Sequence, residues 1–337
     1  MSDLLIGLLS ALVATNQPAA VSNLVHQRTG IPIVVPDKND PVEKEFQKLL
    51  EEDDDAQAEA DRWITDNQKF AEKGAGIGAA NLDARIRQRF APVKKGYEDF
   101  LRRHPDHARA RLAYGGFLND IHEDDAAEVQ WEKARELDPQ NPAAWNNLAN
   151  HYGHDGPVAK AFEYYAKAIE LAPNESLYYH NYATTVYLFR HDATNFFKIS
   201  QQQVFDKAMA LYRKALELDP ENFALATDFA QSYYGFQPHK TGDAAADRQA
   251  QQKHYQAALA AWQDALKLAH DEIERQGVLL HFARIEINAG RFAEARTNLD
   301  AVTHEMFTTT KRNLSRKLAD QEKKPPAGEG TLEPAGK

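Results

Sequence analysis

With 40 Lys plus Arg against 50 Asp plus Glu, this 337-residue chain has a formal charge of −10 and no dense basic arm, so a nucleic-acid backbone is a poor partner. It contains no cysteine, which removes disulfide frameworks and thiolate metal sites and leaves the compartment open. The length alone suggests about two domains, unless internal repeats divide it differently.

Leu4 to Ala14 (LLIGLLSALVA) is an apolar run as long as a signal-peptide core. Against that role, Asp3 stands where a positive n-region belongs, no Lys or Arg precedes Arg28, and a cut after Ala14 would put Leu12 where a small residue is wanted. The run is too short to span a bilayer. The expectation is a buried helix, with Pro18 opening a second through Val25, in a cytoplasmic protein; export with a processed N-terminus is the alternative. Self-association through this apolar hairpin is a further expectation. TGIPIVVPDKNDP, with three prolines, reads as an extended connector. Asp40 then Pro41 is an N-cap and first-turn proline for a helix through about Leu50. Glu51 to Asp55 (EEDDD) lacks the Gly and spaced ligands of a calcium loop and reads as a solvated face or the start of the next helix, with helix returning from about Ala56 to Lys73 around Trp63 and Phe70. Residues 1–75 form the N-terminal helical region on this reading.

Gly74 to Gly78 (GAGIG) follows a charged helical segment, not a strand, so it is a joint and not a dinucleotide loop. Beyond it the chain acquires a ruler: Pro105, Pro139 and Pro173 fall at intervals of 34 residues. The clearest unit, 142–175, places Trp145, Leu148, Ala149 and Tyr152 on one helix face, breaks at His154 to Pro157, and sets Ala161, Tyr165 and Ala168 on the facing stripe. These residues resemble the tetratricopeptide repeat, W-x2-L-G-x2-Y then A-x3-F then P over 34 residues, with Ala149 in place of the small Gly and Tyr165 as the late aromatic. Unit 108–141 keeps Tyr114, Gly115, Leu118, Ala127, Trp131 and Ala134 but has Arg111 where a large apolar residue is expected. Unit 76–107 is a degenerate first repeat, with Val93, Tyr97 and Phe100 in its second helix. Unit 176–222 is lengthened around Phe189 to Gln202, and unit 223–272 between Tyr233 and Ala258, its second helix starting near Asp243. Unit 273–303 ends the array, residues 304–323 form a capping helix, and 324–337 a disordered tail.

The expected fold class is all-α: a right-handed α-solenoid of five to six such helix pairs. No GxSxG, HExxH or P-loop motif occurs, and His151 with His154, three apart, lack a third ligand to complete a metal site. No cofactor or catalytic residue is expected. The resemblance implies a non-catalytic protein-interaction scaffold whose first helices line a concave groove. One residue round from the packing stripe stand Asn146 with Asn150, His180 with Thr184, and Thr227 with Gln231, flanked by Asn147 and Asn181; Tyr187 and Tyr234 supply aromatic anchors beside the insertions. The best-known peptide-binding members grip a terminal carboxylate with Lys, Arg and Asn, whereas no Lys or Arg stands on this stripe. Its amides suit the backbone of an extended peptide.

Overall fold

The computed structural model describes residues 40–72, 74–238 and 240–323; the apolar run, most of the connector and the tail lie outside them. The chain forms two compact units, the first ending at Thr185 and the second starting at Val186. All regular structure among the described residues is helical.

The first unit opens with α1 (Pro41–Glu72) and α2 (Ala79–Arg103). Two expectations are corrected here. The helices proposed before and after EEDDD are one helix of 32 residues, because nothing between Leu50 and Ala56 breaks it and its acids find partners on α2: Arg89 pairs with Glu52 at 2.7 Å and Glu59 at 2.8 Å. The degenerate repeat 76–107 is likewise a single helix instead of a pair. Pro92 sits inside α2, on the exposed side, where the carbonyl that its missing N–H leaves unpaired can bond to water. α1 and α2 thus form a long hairpin, their close approach set at Gly96, where a Cβ would come within 2.8 Å of Leu49.

Two helix pairs and the start of a third follow the proline ruler. α3 (Ala108–Asp120) packs on α4 (Asp124–Leu137) and α5 (Pro142–His154) on α6 (Val158–Leu171), while α7 (Ser176–Leu188) opens the next pair. Gly115 lets α4 close in, since a Cβ there would meet the Trp131 ring at 2.4 Å. In α5, Leu148, Ala149 and Tyr152 are buried as the spacing requires. Trp145 is half-buried at the margin, its indole N–H donating to the Pro139 carbonyl at 2.9 Å and its ring edge-on to Tyr164. The same bond recurs at the equivalent position of each neighbour: Arg111 donates to the Pro105 carbonyl at 2.8 Å and the Tyr179 hydroxyl to that of Pro173 at 3.1 Å.

In the second unit the first insertion contains α8 (Arg190–Phe197), and a capping box between Ser200 and Gln203 starts α9 (Gln201–Leu218). Then come α10 (Phe223–Ser232), a 3-10 turn at Tyr233–Gly235, α11 (Ala244–Leu268) capped by Asp243, α12 (Glu272–Asn288) and α13 (Phe292–Ala301). α14 (Thr308–Glu322) lays Leu314 and Leu318 on a cluster with Leu280, Ile287, Leu299 and Val302. Buried Gln276 fixes the approach to α14, its Oε1 accepting from the Thr303 and His304 amides, both at 2.8 Å. No helix among the described residues is long and apolar enough to cross a membrane.

Candidate functional site

The polar stripe divides between the two units. In the first, Asn146 is only 3% exposed, which corrects the expectation that its amide faces a groove. Its Oδ1 accepts from Asn181 Nδ2 at 3.1 Å and its Nδ2 lies 3.4 Å from Asn147 Oδ1, the pairing that burial of an amide demands. Asn150 Oδ1 accepts from the Tyr165 hydroxyl at 2.6 Å. That hydroxyl is 3.1 Å from Thr185 Oγ1, itself 3.0 Å from the Asn181 carbonyl, and Tyr165 stacks on Tyr182. Three amides predicted to meet a ligand, Asn146, Asn150 and Asn181, therefore join α5 to α6 and to α7. Asn147, Asn150, His180, Asn181 and Thr184 are half-buried and keep part of their surface outward.

In the second unit Gln231 is exposed, while the Thr227 hydroxyl turns back to the Ala224 carbonyl at 2.8 Å. Half-buried Tyr187 packs its hydroxyl on Gly235, where an added Cβ would fall 2.0 Å away. The Tyr234 hydroxyl lies 2.9 Å from His281 Nδ1, and His281 stacks flat on Trp262 with ring centroids 3.9 Å apart. Burial, helped by the neighbouring Arg284, lowers the His281 imidazole from the usual 6.5 to about 4, so it is neutral at pH 7. The Arg284 guanidinium lies 5.5 Å from the Tyr234 ring centroid, which puts a cation beside a stripe that the sequence reading left uncharged. Residue spacing could not show it: His281 is 47 positions from Tyr234.

Beside the stripe a second constellation escaped the sequence reading. The Tyr152 hydroxyl accepts from Lys160 Nζ at 2.6 Å and lies 2.6 Å from Glu128 and 2.9 Å from Glu132. Burial and these two carboxylates together push the Tyr152 phenol up, well out of its ordinary range. Buried His151 meets Glu128 at 3.3 Å, and His154 is exposed. Among the described residues no group of three His, Cys, Asp or Glu side chains is placed to hold a metal.

A family profile described as the tetratricopeptide repeat matches residues 142–175 and 200–222, two segments that the structure folds into α5 with α6 and into α9. These two segments are tetratricopeptide repeats. No curated protein matches its sequence. Among solved structures, the chain is similar to pilF of Pseudomonas aeruginosa, at 14% identity over 79% of this chain and 99% of that one, with a TM-score of 0.49. It is similar to PilW, a type IV pilus biogenesis factor, at 12% identity over 76% and 98%, TM-score 0.48. YrrB, described as a tetratricopeptide repeat protein with an unusual peptide-binding site, matches at 12% identity over 65% and 97%, TM-score 0.47. Likeness at this level says nothing of what this chain binds. Tetratricopeptide repeats serve as a rule in protein-interaction scaffolds, and that role is the coarse function of this chain.

Proposed function

We propose that the chain is a non-catalytic scaffold in the cytoplasm whose first-helix stripe binds an extended segment of a partner protein. One observation supports this reading above others: Asn146 and Asn181 are bonded to each other and Asn150 to the Tyr165 hydroxyl, so the half-buried Asn147, His180 and Thr184 beside them stand on a preorganised, uncharged surface. Such a surface pairs with peptide backbone and loses little entropy on binding. Exposed Gln231 and half-buried Tyr234 offer amide and phenol groups of the same kind within the second unit. Buried Asn146 supports folding here, and mutating it would confuse stability with binding. A partner recovered by affinity capture should therefore be titrated against a variant carrying Asn147→Ala, His180→Ala and Thr184→Ala. Neutral hydrogen bonds contribute about 0.5–1.5 kcal/mol each, so the expected loss is about 1.5–4 kcal/mol of affinity with helicity unchanged. Wild-type affinity in that variant, with binding abolished by deletion of 190–202 or 236–250, would move the site to the inserted segments.

A further inference from the structure

The polar stripe of the second unit does not stop at Gln231. In the last repeat Gly290, Ala295, Leu299 and Val302 stand at one constant offset from Gly156, Ala161, Tyr165 and Ala168, and Ala295, Leu299 and Val302 are buried as Ala161, Tyr165 and Ala168 are. The same offset makes His281 the counterpart of Asn147, and Arg284 the counterpart of Asn150 and hence of Thr184 and Gln231. The stripe therefore ends on a guanidinium.

Nothing in its own repeat occupies that guanidinium. Asn150 accepts from the Tyr165 hydroxyl, whereas the place of Tyr165 is taken on α13 by Leu299, which has no polar side-chain atom. The half-buried Arg89, Arg109 and Arg135 each meet a carboxylate within 2.8 Å, and half-buried Arg111 donates to the Pro105 carbonyl and to Gln130. Half-buried Arg284 faces the Tyr234 ring at 5.5 Å and has no carboxylate or hydrogen-bond acceptor among the described residues. A planar fork of N–H donors, partly withdrawn from water and without a protein acceptor, matches a carboxylate in shape and in charge. The Tyr234 hydroxyl and His281 Nδ1 are engaged with each other, so one cation is on offer and not a ring of donors. Exposed Gln231, on the preceding first helix, offers its amide to backbone passing along the stripe, which leaves Arg284 to a side chain. We propose that Arg284 makes the second unit selective for a segment carrying an Asp or Glu side chain, a specificity that rests on the stripe being the binding surface.

The probe is an array of N-acetylated, C-amidated decapeptides of varied uncharged sequence, each made in twin forms with Glu or Gln at one central position. Blocked ends leave the side chain as the sole carboxylate. The full chain should bind its best Glu peptide about tenfold more tightly than the Gln twin, as a charge-assisted hydrogen bond implies, and added salt should narrow the gap. Arg284→Gln should close the gap and Arg284→Lys should keep part of it, with helicity and affinity for the Gln peptide unchanged. Equal affinity of the unaltered chain for the twins would overturn the proposal, and the groove reading would still stand if the Asn147→Ala, His180→Ala, Thr184→Ala variant weakened both. A gap that survives Arg284→Gln, or one that appears only when the peptides have free C-termini, would overturn it as well. Binding to no peptide of the array would sink the groove reading, and this specificity with it.

Discussion

Asp53 in the first unit and His281 in the second are both driven toward their neutral forms by burial, yet the consequences for stability run in opposite directions. Burial, with the charges of Asp54 and Asp120 adding to it, raises the Asp53 carboxyl from 3.8 to about 6 even though the Tyr97 hydroxyl and Gln57 favour its ionised form. His281 is lowered to about 4. For Asp53 the folded chain takes up its proton first, so stability rises as pH falls from 6 to 3.8. For His281 the unfolded chain takes it up first, so stability is complete above about 6.5 and is lost as pH falls toward 4. Mild acid should therefore strengthen the surroundings of one group and weaken those of the other, and neither repeat counting nor net charge carries that information.

The sharpest way to break this contrast is Trp262→Ala. Trp262 is 1% exposed and carries the imidazole on its face, so the change should cost about 3–5 kcal/mol and return the His281 pKa toward 6.5. Amide exchange of α11 and α12 reads the first effect and the imidazole NMR titration the second; an unmoved titration would mean that the indole is not what desolvates the ring. Next in size is the acid response of the second unit itself. Protection of α12 should fall by about 2–3 kcal/mol between pH 6.5 and 4, and His281→Phe should flatten that slope. The smallest effect tests the other side. Asp53→Asn keeps an acceptor for the Tyr97 hydroxyl, which donates to Asp53 at 2.7 Å, while removing a half-buried charge, and should stabilise α1 and α2 by about 1–2 kcal/mol at pH 7 and by nothing near pH 4. A loss of protection in the hairpin at pH 7 would show that the ionised carboxylate is needed by Tyr97 or Gln57.

What the sequence made legible was phase. Ala149, Tyr165 and Ala168 are buried because a count of 34 carried them there, and Asp243 opens α11 as its capping chemistry requires. What stayed hidden depended on neighbours. A stripe angle says that Asn146 leaves the packing face, but it takes the position of Asn181 to show that the amide is enclosed. The hairpin was hidden for another reason: apolar periodicity looks the same in one 25-residue helix as in two short ones. His281 and Arg284 reach Tyr234 from α12, across a lengthened insertion where counting no longer predicts adjacency.

The bond from the fourth residue of each first helix to the preceding proline carbonyl changes what that position means. Trp145, Tyr179 and Arg111 have different volumes and different polarity, and what they share is an N–H or O–H at the end of a reach long enough to span six residues. Arg111 is then an alternative spelling and no longer a defect. The family profile matches 142–175 and leaves 108–141 unmatched, yet the two share this bond, so within this chain Arg, Tyr and Trp count as one letter at that position.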